Sequence, residues 1–90
     1  MTRTAIVTGA SRGFGRGIAR VLAAEADFKV FATARNQAAL DELKREVEAT
    51  GCNGQIIPHS LDQNNDEDVV HFVEEVLKSV TKIDLLVNSA

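Results

Sequence analysis

Thr8-Gly9-Ala10-Ser11-Arg12-Gly13-Phe14-Gly15-Arg16-Gly17 is the stretch that decides how this 90-residue chain folds. Before it runs Thr4-Ala5-Ile6-Val7-Thr8, short, apolar and β-type; after it Ile18, Val21, Leu22 and Ala26 recur at helical spacing. Strand, glycine turn and helix N-terminus therefore follow one another. Amide N–H groups at a helix start have no partner inside the helix, and the macrodipole places roughly half a positive charge there, so such a turn attracts phosphate. Gly9 allows the sharp turn off the strand, while Gly13 and Gly15 let a diphosphate approach the backbone and let the helix pack down on the sheet.

The spacing Gly9-x-x-x-Gly13-x-Gly15 is not the general dinucleotide fingerprint G-x-G-x-x-G. It is further from the phosphate loop G-x-x-x-x-G-K-[ST], which needs a glycine and a lysine where Phe14 and Gly15 stand. A glycine-rich turn without a ligand is the plain alternative, and the strand-turn-helix context weighs against it.

Ninety residues make one small domain at most, with a thin stability margin. A composition of 44% hydrophobic and 26% charged residues is that of an ordinary globular protein, neither disordered nor membranous. No run approaches the ~20 apolar residues that span a bilayer, and Met1-Thr2-Arg3 leads directly into the first strand, so the expected location is the cytoplasm. A net charge of −3 with scattered arginines gives no field for a nucleic-acid backbone. The lone Cys52 excludes an internal disulfide, argues against a zinc site, and reads as a surface loop residue.

Beyond the first helix Asp27 breaks the pattern, and Lys29-Val30-Phe31-Ala32-Thr33 reads as a second strand. The βαβ unit so formed is expected to be parallel and right-handed. Asn36 is a candidate N-cap for a helix from Gln37 to about Thr50 with the stripe Leu40, Leu43 and Val47; its polar face is expected to be solvated, with pairs such as Asp41 and Arg45. Gln55-Ile56-Ile57-Pro58-His59 is a third strand, and Pro58 places it at an edge, which suits the order 3-2-1-4. Asn65 or Asp66 caps a third helix whose stripe is Val69, Phe72, Val73, Val76, Leu77 and Val80, with His71 on the solvated face. His59 has no assigned role. The fourth strand is Ile83–Asn88.

Thr8-Gly9-Ala10-Ser11-Arg12-Gly13-Phe14-Gly15 resembles the T-G-x-x-x-G-x-G cofactor motif of the short-chain dehydrogenase/reductase family, with Phe14 where that family usually has Ile or Leu. Leu61-Asp62 resembles the Leu-Asp-Val segment whose aspartate and next amide hold the adenine ring, although Gln63 replaces the usual apolar residue. Asn88-Ser89-Ala90 resembles the Asn-Asn-Ala-Gly motif that ends strand four, with Ser89 for the second asparagine. The resemblance implies an α/β fold of Rossmann type: three layers, a parallel sheet in the order 3-2-1-4, and helices on both faces, incomplete because only the cofactor half of the family's domain is covered.

In such a fold an acid at the end of strand two accepts from a ribose 2′-OH, whereas an arginine accommodates a 2′-phosphate. Here Ala34-Arg35-Asn36 stands at that place, with no carboxylate to compete. In NADP-preferring members of the family, basic residues commonly sit just before the second motif glycine and just after strand two, which in this chain are Arg12 and Arg35. The expected coenzyme is therefore NADP, held by Gly9, Ser11, Arg12, Gly13, Phe14, Gly15, Arg35, Asn36, Asp62 and Asn88. Arg16 and Arg20 match nothing in the motif and read as surface residues.

Catalysis in this family rests on a Tyr-x-x-x-Lys pair with a serine and an asparagine, all beyond strand four. The chain contains no tyrosine, so no catalytic residue is assigned, and Ser11, Ser60, Ser79 and Ser89 lack a base partner. The leading expectation is the NADP-binding half of an oxidoreductase that turns over no substrate by itself. Alternatives are a binding module without chemistry and a truncated gene product. The fourth strand is expected to leave an apolar edge prone to self-association.

Overall fold

The computed structural model describes residues 2–89. Seven elements follow in order: β1 (Thr4–Thr8), α1 (Gly13–Ala24), β2 (Lys29–Ala34), α2 (Gln37–Glu48), β3 (Gln55–Ser60), α3 (Asp66–Ser79) and β4 (Leu85–Asn88). The four strands form one sheet in the order β3-β2-β1-β4, and every pair is parallel. Pro58 lies in edge strand β3, where its missing N–H costs the ladder little.

Successive side chains of a strand point to opposite faces, and β1 shows this directly. Ala5 and Val7 join a core with Ala19, Ala23, Leu40, Leu43, Val47 and Ile56, so α1 and α2 cover one face. Ile6 joins Phe31, Leu61, Phe72 and Val76, so α3 covers the other. The result is a three-layer α/β fold of Rossmann type.

Several local expectations are corrected. The first helix begins inside the glycine motif, at Gly13, and its buried seam is Gly15, Ala19 and Ala23, not the larger residues. Ile18 and Leu22 flank that seam and Val21 is exposed, because a row of small residues lets the helix axis approach the sheet. Asp27 ends the segment with a φ of 58°. The second helix stops at Glu48, before the expected Thr50, and Asp41 accepts from Gln37 Nε2 at 2.8 Å instead of pairing with Arg45. In α3 only Phe72 and Val76 are buried; Val73 and Leu77 remain exposed, since one helix alone cannot cover that face. The fourth strand starts at Leu85, two residues later than expected.

Cys52 lies in the loop after α2, as expected, but is half-buried there: it packs against the larger core, with Sγ 3.7 Å from the Val47 carbonyl and 3.5 Å from that of Gly54. His59 sets its ring edge-on to Phe72, with centroids 4.9 Å apart. Ala90, the last residue of the fourth-strand motif, lies outside the described residues.

Candidate functional site

In a parallel sheet all strands deliver their C-terminal ends to one side, and here the loops after β1, β2 and β3 converge there with Ser89 beyond β4. The loop after β1 is shaped by two left-handed glycines, Gly9 at φ 63° and Gly13 at φ 62°. Ala10 N–H donates to the Thr33 carbonyl at 3.0 Å and fastens the turn to the end of β2. Gly15 brings the helix down on the strand: a Cβ there would be driven into the Gly9 carbonyl oxygen and would sit 2.8 Å from Ser89 Oγ.

The three helix starts differ in a way that bears on ligands. Asn36 caps α2 by accepting from Ala39 N–H, and Asn65 caps α3 by accepting from Glu67 and Asp68 N–H. Arg12, at the N-cap of α1, provides no side-chain cap, and the first turn of α1 has no acidic residue. The amides and the dipole of α1 are thus left to interact with an external anion.

They open on a cleft of about 710 Å³. Its walls are Gly9, Ser11, Arg12, Gly13 and Phe14 from the turn, Thr33 to Asn36 at the end of β2, Leu61 to Asn64 after β3, and Ser89 after β4. Phe14 is 77% exposed at the rim. Eight of the ten residues singled out in the sequence line this cleft. The other two stand behind it: Gly15 is buried against Gly9, and Asn88 accepts from Thr8 Oγ1 at 2.9 Å. Ala34, Leu61, Gln63 and Ser89 stand in the quoted cofactor segments but not among the ten; Thr33 and Asn64 stand in neither, although the rule that neighbouring parallel strands end side by side could have found them.

The charges also correct the sequence reading. The end of β2 itself has no carboxylate, but Asp62 supplies one from the loop after β3, with Oδ1 3.0 Å from Arg35 Nη2. Asp62 is held below the usual aspartate range, chiefly by the N–H of Asn64 and then by the Arg35 guanidinium. Arg12 makes no ion pair among the described residues. Arg16 is not a free surface residue: it grips Glu46 of α2 with two nitrogens, at 2.9 and 3.1 Å, and thereby holds the Glu46 carboxyl below its ordinary value. Arg20 adds a longer contact to Glu46 at 3.9 Å. Among the described residues no cluster of acidic, histidine or cysteine side chains could hold a metal ion, and no helix is long and apolar enough to cross a membrane.

The sequence profile described as short chain dehydrogenase matches residues 3–90. The chain belongs to the short-chain dehydrogenase/reductase family. It is 35% identical to dehydrogenase/reductase SDR family member 11 of Bos taurus over 88 residues, which cover 98% of this chain and 34% of the relative. A metagenomic short-chain oxidoreductase solved in complex with NADP superimposes with a TM-score of 0.89 at 38% identity, covering 98% of this chain and 38% of the other. An actinorhodin polyketide ketoreductase solved with NADPH gives a TM-score of 0.86 at 29% identity, covering 99% and 33% respectively. The chain thus spans about a third of the length of the curated relatives it matches. The oxidoreductase family and the three-layer fold agree with the glycine motif; the similar structures named are complexes with NADP or NADPH.

Proposed function

We propose that residues 1–90 form the NADP(H)-binding half of a short-chain oxidoreductase. The observation that carries this reading is the pairing of an uncapped helix N-terminus with two arginines, Arg12 and Arg35, on the walls of one cleft. The amides of the Gly9–Gly15 turn would hold the diphosphate, and the guanidinium groups would take the 2′-phosphate, which carries close to two negative charges. Asn36 and the Leu61–Asn64 loop would border the adenosine, and Gly15 and Asn88 would act from behind by fixing the turn against β4.

When bound, the coenzyme supplies or accepts a hydride for a carbonyl or alcohol substrate of the whole enzyme. These 90 residues contain no tyrosine, so they hold no candidate for the proton donor that the family pattern implies. On this reading they bind without turnover, and the substrate is chosen outside them.

The test is a calorimetric titration with NADPH and with NADH, repeated on Arg35→Asp. The expected result is at least about ten-fold tighter binding of NADPH, equal to about 1.4 kcal/mol, and loss or reversal of that preference in the variant. Folded protein that evolves no heat with either coenzyme overturns the reading. Loss of NADPH absorbance with carbonyl compounds would overturn the claim that the chain is inactive alone.

A second reading is a dinucleotide-binding module that associates with itself along β4. It is favoured by the apolar residues on and beside that edge: Leu86 is 64% exposed, and Leu85 and Ile83 are also exposed. Sedimentation distinguishes it, since this reading requires a species larger than the monomer.

A further inference from the structure

Arg35 and Asp62 stand at the adjacent ends of β2 and β3, and both line the cleft. Their side chains meet at 3.0 Å, with Arg35 71% and Asp62 41% exposed. Asp62 does not depend on Arg35 for its position: its Oδ1 also accepts from Asn64 N–H at 2.9 Å, and its own N–H donates to Asp68 Oδ2 at 3.3 Å. A second carboxylate, Asp68, is therefore fixed to the same loop. A carboxylate held by its own loop within hydrogen-bonding distance of an exposed guanidinium occupies a donor that a phosphate would otherwise take.

We infer that Asp62 is a specificity-determining residue that competes with the coenzyme's 2′-phosphate for Arg35, and so limits the preference for NADP(H) over NAD(H). This rests on the coenzyme reading given above. A 2′-phosphate that takes Arg35 must either displace Asp62 from the guanidinium or share it while lying within a Debye length of another anion, ~10 Å at 0.1 M salt. Either way the carboxylate opposes the phosphate, while a coenzyme with a plain 2′-OH leaves the ion pair intact. The preference is set by the balance between the two guanidinium groups and this carboxylate, not by Arg35 alone. That places the effect on the 2′-substituent, whereas an aspartate serving the adenine ring would affect both coenzymes alike.

The experiment titrates the chain with 2′,5′-ADP and with 5′-AMP, which differ only in the 2′-phosphate, using the wild type, Asp62→Asn, Arg35→Ala and the double variant. Asparagine keeps an oxygen for Asn64 N–H and removes only the charge, so the loop is preserved; circular dichroism checks the fold. Asp62→Asn is expected to raise the affinity for 2′,5′-ADP relative to 5′-AMP about five-fold, which is about 1 kcal/mol, whatever it does to the adenosine contact that the two ligands share. In the Arg35→Ala background the same change should give less than about two-fold, because only screened repulsion remains. The inference is overturned if wild type prefers 2′,5′-ADP but Asp62→Asn leaves the ratio of the two affinities unchanged; equal weakening of both ligands assigns Asp62 to the adenine alone. Wild-type protein that binds neither ligand overturns the coenzyme reading and this inference with it.

Discussion

Thr4 and Asp84 hold each other by two hydrogen bonds across 80 residues of sequence: Thr4 N–H donates to Asp84 Oδ2 at 2.8 Å, and Asp84 N–H donates to the Thr4 carbonyl at 2.9 Å. This clasp sits where β1 begins and just before β4, so it sets the register in which Ala5 faces Leu85 and Thr8 faces Asn88. The far end of β4 carries Ser89 into the cleft. A contact at one end of the strand thus aligns a cleft residue at the other.

The same clasp has a pH dependence of definite sign. Asp84 is held below the ordinary aspartate value, mainly by Thr4 N–H and then by Lys82. A group whose folded value is depressed stabilises the fold above its unfolded pKa of about 3.9 and ceases to do so as pH falls through the folded value. Urea midpoints measured from pH 7 downward should therefore fall below about pH 4, and Asp84→Asn should show a lower midpoint at pH 7 and a shallower acid slope. An unchanged slope in the variant would remove Asp84 from the account.

Glycines in the same helix should respond to alanine with opposite signs. At Gly15 the added Cβ meets backbone of the preceding turn, which cannot rotate away. Gly15→Ala should cost about 1 to 3 kcal/mol and weaken coenzyme binding as the turn shifts. Gly17 lies in the interior of α1 with nothing within 4 Å of its Cβ position. There alanine should stabilise by about 0.5 to 1 kcal/mol through helix propensity. Thermal unfolding of the two variants decides it; equal shifts would mean that the contact between Gly15 and Gly9 does not limit the fold.

Arg16 ties the helix that begins in the glycine turn to its neighbour α2 through Glu46. Arg16→Ala and Glu46→Gln should each lower the urea midpoint, and the double variant should lose little more than either alone, as expected for partners in one interaction. Arg20→Ala, whose contact with Glu46 is 3.9 Å, should have the smaller effect. Additive losses from Arg16→Ala and Glu46→Gln would show that the pair is not coupled.

What could be read in advance was mostly local. The strand-turn-helix unit from Thr4 to the first helix announces itself in contiguous residues, and Pro58 alone is enough to send its strand to an edge. The cleft followed in outline because parallel strands end on one side. The pairing of Arg35 with Asp62 did not, because it joins residues 27 apart that become neighbours only when β3 adds to β2. Hydrophobic periodicity also misjudged α1 and α3, in opposite directions. It looked past Gly15, Ala19 and Ala23, which are small yet buried against the sheet, and it counted Val73 and Leu77 in the packing stripe although both stay exposed among the described residues. Periodicity reports which side chains favour burial, whereas burial depends on what lies opposite.

The register of β4 makes the self-association reading specific. Leu86 pairs with Ile6, whose side chain belongs to the α3 face, whereas Leu85 pairs with Ala5 and Val87 with Val7 on the face covered by α1 and α2. Leu86 is 64% exposed and Leu85 only 39%, so the apolar surface lies chiefly on the side where a single helix provides cover. If copies join through that face, Leu86→Lys should return the protein to a monomer over roughly the micromolar-to-millimolar range, while Leu85→Lys changes little. If they join through the free backbone of the edge, both lysines should disrupt it, since charges on an edge strand oppose pairing on either face. Sedimentation equilibrium of the three proteins separates these cases, and a wild type that stays monomeric throughout would leave β4 without a partner of its own kind.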